Sequence, residues 1–319
     1  KVSEKTTIRV TDVKIVTNDV KKRLKELNVK KSIGPDLVGP RILKELSNEI
    51  AEVVKNIFQE SIDQGTVPKL WQKADVTAIF KKGQKSNPLN YRPISLTCTL
   101  CKVLEGIIRN TILEHLMSNK LICNNQFGFV PKRSTTLQLI NVIEQWISVL
   151  DDGGNIDTVY LDIMKAFDQV PKHRLLAKLS SYGIRNNLLS WIDSFLTNRT
   201  LSVLVNGSKS SEGMVTSGVP QGSVLGPLLF VVYINDMPNE IKSMLYMFAD
   251  DTKIYREIID DEDNTFLQSD LDKLSQWSSD WMLNFHPEKC MVMHLGRTNP
   301  QNTYFLNGVE LQKRSWCYL

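Results

Sequence analysis

Two strand-like segments that lie far apart in the sequence each end in acidic residues. The first, VYLD, ends at Asp162, and the second, LYMFADD, ends at Asp250 and Asp251. An Asp at the end of a buried strand is costly unless another charge compensates for it. A divalent cation can do so, because Mg²⁺ binds a few carboxylate oxygens and keeps water or phosphate oxygens as its other ligands. The pattern therefore favours a sheet whose neighbouring strands bring three carboxylates together.

Converging carboxylates of this kind can support phosphoryl transfer. Two ions about 3.5–4 Å apart can hold the attacking hydroxyl and the leaving phosphate oxygens. The reaction then needs little beyond positioning and charge neutralisation. An isolated Asp-Asp pair is more typical of a hairpin turn, because Asp favours turns. Other features of the sequence must decide between a turn and a metal site at Asp250 and Asp251.

The apolar periodicity predicts helices that alternate with strands, which indicates a mixed α+β fold. Helices are predicted near residues 18–27, 42–64, 99–118, 134–151, 171–182, 186–197, 224–234 and 264–283. Strands are predicted at 74–80, 156–162 and 291–296, and hairpins at 200–217 and 245–255. The Asn206-Gly207 dipeptide is typical of a tight hairpin turn.

Helix ends and one apolar stripe can also be predicted. Asn18 or Asp19 is the expected cap of the first helix, and Ser134 that of the fourth. Gly65 is expected to end the second helix. That helix carries apolar residues at helical spacing, namely Ile42, Leu46, Ile50, Val53, Ile57 and Phe58.

The composition excludes several classes of protein. With 42% hydrophobic residues among 319, the chain can bury a large core. No stretch approaches the ~20 apolar residues that cross a bilayer, and no signal peptide is present, so we expect no membrane partner. Five cysteines without regular spacing predict a reducing compartment. The Cys98–Cys101 and Cys290–His294 pairs lack the further ligands of a zinc site, and core cysteines explain them more simply.

The net charge of +4 hides an asymmetry between the halves of the chain. Residues 1–150 carry 24 Lys and Arg against 14 Asp and Glu, and residues 151–319 carry 15 against 21. A basic half beside an acidic half suits a phosphate-rich partner held near a cation site. Charge runs are usually just solvated faces, so the asymmetry taken alone is weak evidence for such a partner.

Six segments resemble reverse transcriptases of non-LTR retrotransposons, and they follow one another along the chain in the order found in those enzymes. Their sequences are most similar to those of jockey-like (LINE-type) elements. VYLDIMKAFD resembles motif A, SGVPQGSVLGPLLF motif B and LYMFADDTKIY the metal-binding hairpin of motif C. Upstream, ADVTAIFKKG with NYRPISL resembles the fingers motifs, and NNQFGFVPKRST the segment after them. Downstream, NFHPEKCMVMHLG resembles motif D. The resemblance runs from about residue 30 to about residue 296 and implies a right-hand polymerase fold with fingers and palm.

The resemblance implies roles for residues of motifs A, C and D. Asp162 and Asp250 would bind the metal ions, and Asp251 would complete the acidic set with less direct contact. Phe167 matches the steric gate that excludes a 2′-hydroxyl, although core packing would also explain a ring at this position. Lys289 matches the lysine that protonates the leaving pyrophosphate as a general acid.

The resemblance also implies nucleotide contacts outside these motifs. Gln221 and Gly222 match the part of motif B that lies against the incoming nucleotide, where glycine permits close approach of the backbone. Arg92 matches the fingers arginine that grips the triphosphate, since a guanidinium suits phosphate oxygens. Lys82 or Lys81 would be its cationic companion, although both could equally belong to a solvated turn.

The implied activity is RNA-directed DNA polymerisation with two Mg²⁺ ions, for which Mn²⁺ could substitute. The implied partners are an RNA template, a DNA primer or target DNA 3′ end, and dNTPs. An intracellular location is expected, in the nucleus and in a cytoplasmic ribonucleoprotein. The alternatives are an RNA-directed RNA polymerase, an inactive remnant of an element and a non-catalytic RNA-binding scaffold. Phe167 and the Gln221-Gly222 pair argue against the RNA polymerase.

The expected domain organisation follows the motifs. Residues 1–73 would form flanking helices, and 74–296 the reverse transcriptase domain, with fingers at about 74–155 and palm at about 156–296. Residues 297–319 would begin a truncated connection to a thumb. The first residue is Lys rather than Met, and no endonuclease-like segment precedes the polymerase motifs, so we expect a fragment.

Overall fold

The computed structural model describes residues 2–314. The helices are α1 (Thr17–Lys25), α2 (Pro40–Glu45), α3 (Ser47–Asp63), α4 (Thr99–Ser118), α5 (Thr135–Asp151), α6 (Ala166–Gln169), α7 (Lys172–Ser181), α8 (Asn186–Leu196), α9 (Gly226–Ile234) and α10 (Asp261–Trp281). The strands are β1 (Lys73–Phe80), β2 (Tyr91–Leu96), β3 (Asn155–Leu161), β4 (Thr200–Val205), β5 (Ser208–Lys209), β6 (Gly213–Met214), β7 (Met244–Phe248), β8 (Asp251–Ile258), β9 (Met291–Leu295), β10 (Phe305–Leu306), β11 (Val309–Glu310) and β12 (Gln312–Lys313). The fold is mixed α+β, as predicted.

The chain divides into two compact units, each discontinuous in sequence. The first contains Lys1–Leu121 and Pro171–Leu229, and the second contains Ile122–Val170 and Phe230–Leu319. These units group the chain differently from the fingers and palm ranges expected from the sequence, and those subdomain boundaries remain predictions.

The first unit is built on a sheet of order β2-β1-β4-β5, with β6 also paired to β4. Strand β1 pairs antiparallel with β2 and parallel with β4. The predicted strand at 74–80 and the predicted hairpin at 200–217 are confirmed. At the tip of that hairpin, Asn206 and Gly207 have φ values of +50° and +82°, which suit a tight two-residue turn.

The prediction of one continuous helix over residues 42–64 is wrong. The backbone leaves helical geometry at Leu46 (φ −88°, ψ 13°), which separates α2 from α3. Helix α3 therefore buries Ala51, Val54, Phe58 and Ile62. Most of the predicted apolar stripe is exposed instead, namely Ile42, Leu46, Val53 and Ile57, with exposed fractions of 43–60%.

The predicted ends of these helices have mixed outcomes. Gly65 follows α3 with φ +62°, which confirms it as the helix terminator. The cap of α1 is Val16 rather than Asn18 or Asp19. Asp19 lies inside the helix and forms an ion pair with Arg23, one turn later, at 3.1 Å.

The second unit is built on a sheet of order β12-β9-β3-β8-β7, in which β3 is central. Strand β3 pairs antiparallel with both β8 and β9. Helix α5 covers this sheet by packing Val142 and Trp146 against apolar side chains of β3, β8 and β9. Its cap is confirmed, because Ser134 Oγ accepts a hydrogen bond from Leu137 N at 3.2 Å.

None of the helices within residues 2–314 is both long enough and apolar enough to cross a membrane. Cys98, Cys101 and Cys290 are buried free cysteines, in keeping with core positions. His294 hydrogen-bonds Asp157 at 2.6 Å, and Cys290 instead contacts the backbone of Asp162.

Candidate active site

Asp162 follows directly after strand β3, at the edge of the second unit's core. Val159 and Leu161 are buried in the strand, and the carboxylate follows immediately after it with 40% of the side chain exposed. The last pair of the β3–β8 ladder joins Leu161 to Thr252. One residue further along this antiparallel register, Asp162 lies opposite Asp251.

The hairpin formed by β7 and β8 carries the other two aspartates. Phe248 and Asp251 form the last pair of the ladder, and Ala249 and Asp250 form the turn between them. Ala249 has φ +56°, a conformation that two-residue hairpin turns require and usually assign to Gly. The turn and the acidic site are therefore the same feature of the molecule. Asp250 is half-buried on the turn, and Asp251 is exposed at the start of β8.

The segment that precedes β9 holds the backbone around Asp162. His286 N donates to Asp162 O at 2.7 Å, and Met164 N donates to Asn284 O at 2.8 Å. From the other side, Asp162 N donates to Cys290 Sγ at 3.3 Å. These bonds fix the position of the first predicted metal ligand. They also bring Lys289 to it, because Lys289 Nζ lies 3.4 Å from Asp162 Oδ2.

A cleft of about 340 Å³ opens beside these residues within the second unit. The side chains that line it come from α5, β3, β7, β8 and the segment before β9. They are Thr135, Gln138, Leu139, Tyr160, Leu161, Asp162, Phe248, Asp251, Thr252, Lys253 and Lys289. Two of the three predicted metal ligands, Asp162 and Asp251, share this cleft with the predicted general acid.

The electrostatics of the cleft favour a cation. The pKa of Asp251 is raised, mainly by loss of solvation and to a lesser extent by the negative charge of Asp162. A bound cation reduces the repulsion between two nearby ionised carboxylates. Among residues 2–314, no three His, Cys, Asp or Glu side chains form a metal cage by themselves. The donor set fits Mg²⁺, which takes one or two carboxylates and completes its shell with water and substrate phosphates.

Phe167 lies in α6, directly after the stretch that carries Asp162. Its ring is half-buried and stacks on Phe230, with ring centroids 4.8 Å apart. Lys165, which caps α6, has φ +41° and turns the chain sharply after β3. The core-packing explanation of Phe167 therefore holds, and the partial exposure leaves the steric-gate role as a prediction.

The remaining predicted site residues lie in the first unit. Arg92 is exposed on β2, opposite Ile79 of β1. Lys81 and Lys82 are exposed in the loop after β1. Gln221 and Gly222 lie against β2, because Ser95 N donates to Gln221 O at 2.8 Å. Gly222 has φ +109°, and a Cβ there would lie 2.5 Å from Ser95 O, so this close approach requires glycine.

Other polar residues near these positions were not predicted. Lys253 lines the cleft two residues after Asp251, on the same face of β8, with its ammonium 5.9 Å from the centre of the Tyr160 ring. The period of two along a strand could have indicated it. In the first unit, the buried Glu105 accepts hydrogen bonds from Val224 N (2.7 Å) and Leu225 N (3.0 Å). The one feature of the sequence that could have indicated this role is the position of a Glu within the apolar run of α4.

Comparison with known protein families decides the identity of the fold. Residues 79–319 match the family described as "Reverse transcriptase (RNA-dependent DNA polymerase)". The chain belongs to the reverse transcriptase family. Its mixed α+β fold agrees with the fingers and palm of reverse transcriptases. Members of the family use divalent metal ions and copy a nucleic-acid template with dNTPs.

The individual relatives confirm the resemblance to non-LTR elements. The chain is 33% identical to the "RNA-directed DNA polymerase from mobile element jockey" of Drosophila melanogaster, over 92% of this chain and 33% of that protein. It is 31% identical to the "Probable RNA-directed DNA polymerase from transposon BS" of the same species, over 86% of this chain and 31% of that protein. This reverse transcriptase chain thus spans about a third of the length of these curated relatives.

Proposed function

We propose that this chain is the polymerase core of a non-LTR retrotransposon reverse transcriptase, which extends a DNA 3′ end on an RNA template. The observation that carries the proposal is the shared cleft of Asp162, Asp251 and Lys289. The cleft brings two carboxylates and a lysine ammonium together, which supports the metal-binding and general-acid roles proposed for them. Residence in the nucleus and in a cytoplasmic ribonucleoprotein would follow from this activity.

The metal of this site is proposed to be Mg²⁺, as two ions, with Mn²⁺ as a substitute. Asp162 and Asp251 would hold it from the cleft, and Asp250 from the adjoining turn. When bound, the metal would supply charge neutralisation for the triphosphate and activation of the primer 3′-hydroxyl. The raised pKa of Asp251 supports this assignment, because a cation would relieve the charge of Asp162 beside it.

The other predicted residues would bind the nucleotide. Lys289 would donate a proton to the leaving pyrophosphate, since its ammonium is already held beside Asp162. Phe167, braced by Phe230, would exclude a 2′-hydroxyl. In the first unit, Arg92 and Lys82 would bind triphosphate oxygens, and the backbone at Gln221 and Gly222 would lie against the incoming nucleotide.

Primer extension tests this proposal. The substrate is oligo(dT) annealed to poly(rA), with dTTP and either Mg²⁺ or Mn²⁺. The wild-type chain is expected to extend the primer, and Asp162→Asn and Asp250→Ala are each expected to reduce the rate by about 100-fold or more, as removal of a key electrostatic group does. The matched control is Asp152→Asn, an exposed aspartate at the end of α5, which should leave the rate unchanged.

The same assay separates the alternatives. Efficient use of UTP in place of dTTP would indicate an RNA polymerase, and Phe167→Ala should increase UTP use if the ring is the steric gate. Binding of the RNA template without extension in either metal would indicate an RNA-binding scaffold or an inactive remnant, and would contradict the proposal.

A further inference from the structure

A fully buried glutamine, Gln126, is bonded to the turn that carries the paired aspartates. Its Oε1 accepts a hydrogen bond from Ala249 N at 2.9 Å and a second from Gly128 N at 2.7 Å. The side chain is 0% exposed, and Ala249 is only 4% exposed. Water therefore has little access to the Ala249 amide, and the glutamine oxygen is its hydrogen-bond acceptor.

The segment around Gln126 lies along β7 and ends at this turn. Met247 N donates to Asn125 O, and Phe127 N donates to Met247 O, both at 2.8 Å. A Cβ on Gly128 would lie only 2.9 Å from Phe248 C, so the two backbones are in direct contact. The segment is thus paired with β7 through an isolated parallel bridge between Gln126 and Met247, and its end abuts the residue before the turn.

Arg133 fixes the same segment from its other side. Its Nη1 donates to Gln126 O at 2.6 Å and to Cys123 O at 2.7 Å. The guanidinium also lies over the Phe127 ring, 6.0 Å from its centre. The backbone of the glutamine is therefore also held by a hydrogen bond that does not involve the turn.

The turn has reason to need such support. Ala249 adopts φ +56° without being glycine, a conformation that persists only where the surroundings enforce it. In residues 2–314, Gln126 Nε2 is buried without a hydrogen-bond partner. A residue present only to fill space would be apolar and would avoid that cost. The oxygen end of the side chain, bonded to Ala249 N, accounts for a polar residue at this site.

We propose that Gln126 is a positioning residue that holds the Ala249–Asp250 turn, and through it the carboxylates of Asp250 and Asp251, in the geometry needed for metal binding. The effect on polymerisation rests on the function proposed above. The effect on the turn does not, and it can be measured without substrate.

Two substitutions separate the hydrogen bond from the packing. Gln126→Met keeps the side-chain length and removes the acceptor. Gln126→Glu keeps an acceptor oxygen for both amides. The matched control is Asn125→Ala, which removes a hydrogen bond from Asn125 Nδ2 to Leu245 O (2.7 Å) in the same segment but leaves the Ala249 contact intact.

The first readout is amide hydrogen exchange of the metal-free chain, resolved by residue. In Gln126→Met, the amides of Ala249 and Gly128 should exchange at least about tenfold faster, while the Met247 amide stays protected by Asn125 O. In Gln126→Glu the protection of Ala249 should be retained, and in Asn125→Ala it should be unchanged. Unaltered protection of Ala249 in Gln126→Met would overturn the proposal. So would equal loss at Ala249 and Met247, which would indicate a general packing role.

The second readout is the Mg²⁺ concentration that gives half-maximal primer extension. It should rise several-fold in Gln126→Met and stay at the wild-type value in Asn125→Ala, because general loss of folded protein lowers the maximum without moving the midpoint. An unmoved midpoint in Gln126→Met overturns the link to metal binding. A wild-type chain that shows no extension refutes the polymerase function, and the exchange experiment still decides whether Gln126 holds the turn.

Discussion

Lys289 Nζ lies 3.4 Å from Asp162 Oδ2, so the predicted general acid and the first predicted metal ligand form an ion pair. The side chains are 62% and 40% exposed, respectively. An ion pair this exposed stabilises a fold by less than about 1 kcal/mol. Its importance is in positioning, because it keeps an ammonium group beside the carboxylate around which the reaction would take place.

Substitution of Lys289 should lower the rate of catalysis with little effect on stability. We expect Lys289→Ala to slow single-nucleotide incorporation by about 100-fold, the lower range for loss of a general acid. Lys289→Arg keeps the ion pair but cannot release a proton near neutral pH, so it should be almost as slow. Rapid-quench measurements on both variants test this. Wild-type rates in Lys289→Arg would limit the role of the lysine to charge.

Asp251 should destabilise the metal-free protein at neutral pH. Its pKa is raised in the folded protein, so the protonated carboxyl stabilises the folded state relative to the unfolded one. This stabilisation is fully present below the unfolded pKa of about 3.9, and it is lost as the pH rises through the pKa of the folded protein. Asp251→Asn should therefore be more stable than wild type at pH 7 in EDTA, by less than about 1 kcal/mol because the side chain is exposed. Thermal melts should show the difference vanishing near pH 3. A less stable variant at pH 7 would contradict the account.

Tyr304 should stabilise the fold through Asp157. Burial opposes ionisation of Asp157, but hydrogen bonds from His294, Tyr304 and Asn299 outweigh it and lower its pKa. Tyr304 Oη donates to Asp157 Oδ2 at 2.6 Å. Tyr304→Phe should cost about 1.5–3 kcal/mol at pH 7, as expected for a hydrogen bond to a charged group.

The pH dependence provides the control for this interaction. A lowered carboxyl pKa contributes stability above the unfolded value of about 3.9, and this is lost as pH falls through the folded value. The difference between wild type and Tyr304→Phe in urea unfolding should therefore shrink below pH 4. Tyr160→Phe removes a hydroxyl that makes no hydrogen bond within residues 2–314 and should cost far less. A loss independent of pH would assign the Tyr304 effect to packing.

Gly222 should tolerate no side chain. Gly222→Ala forces a Cβ into a backbone with φ +109° and to within 2.5 Å of Ser95 O, which should cost about 1–3 kcal/mol. Gly213→Ala is the control, because its nearest neighbour would be Leu201 O at 4.0 Å, and its effect should stay within about 0.5 kcal/mol. Chemical denaturation of both variants provides the measurement. Equal stabilities would show that the contact with β2 is dispensable.

The features that were predicted from sequence are those with local signals. Apolar strand-like runs ending in Asp identified β3 and the β7–β8 hairpin, and Ser134 marked the start of α5. Strand β2 was not predicted, because Pro93 argues against a strand. It is tolerated there because β2 lies at the edge of its sheet, where a missing amide donor costs little.

The features that could not be predicted depend on contacts between distant parts of the chain. The bond from Ala249 N to Gln126 joins residues 123 positions apart, and no spacing in the sequence indicates it. The face of α3 that is buried depends on the backbone break at Leu46 and on packing against α1, and the apolar stripe alone indicated the wrong side. Local patterns identified the acidic site, and tertiary contacts determine what holds it in place.

Binding of Mn²⁺ measured by electron paramagnetic resonance tests the central claim most directly. The sample contains the chain, an RNA template, a DNA primer with a dideoxy 3′ end and dTTP, so that binding is observed without reaction. The wild-type chain should bind more Mn²⁺ than either Asp162→Asn or Asp251→Asn under the same conditions, and Asp152→Asn should match wild type. Equal Mn²⁺ binding by all four proteins would contradict the assignment of Asp162 and Asp251 as ligands of the catalytic metal.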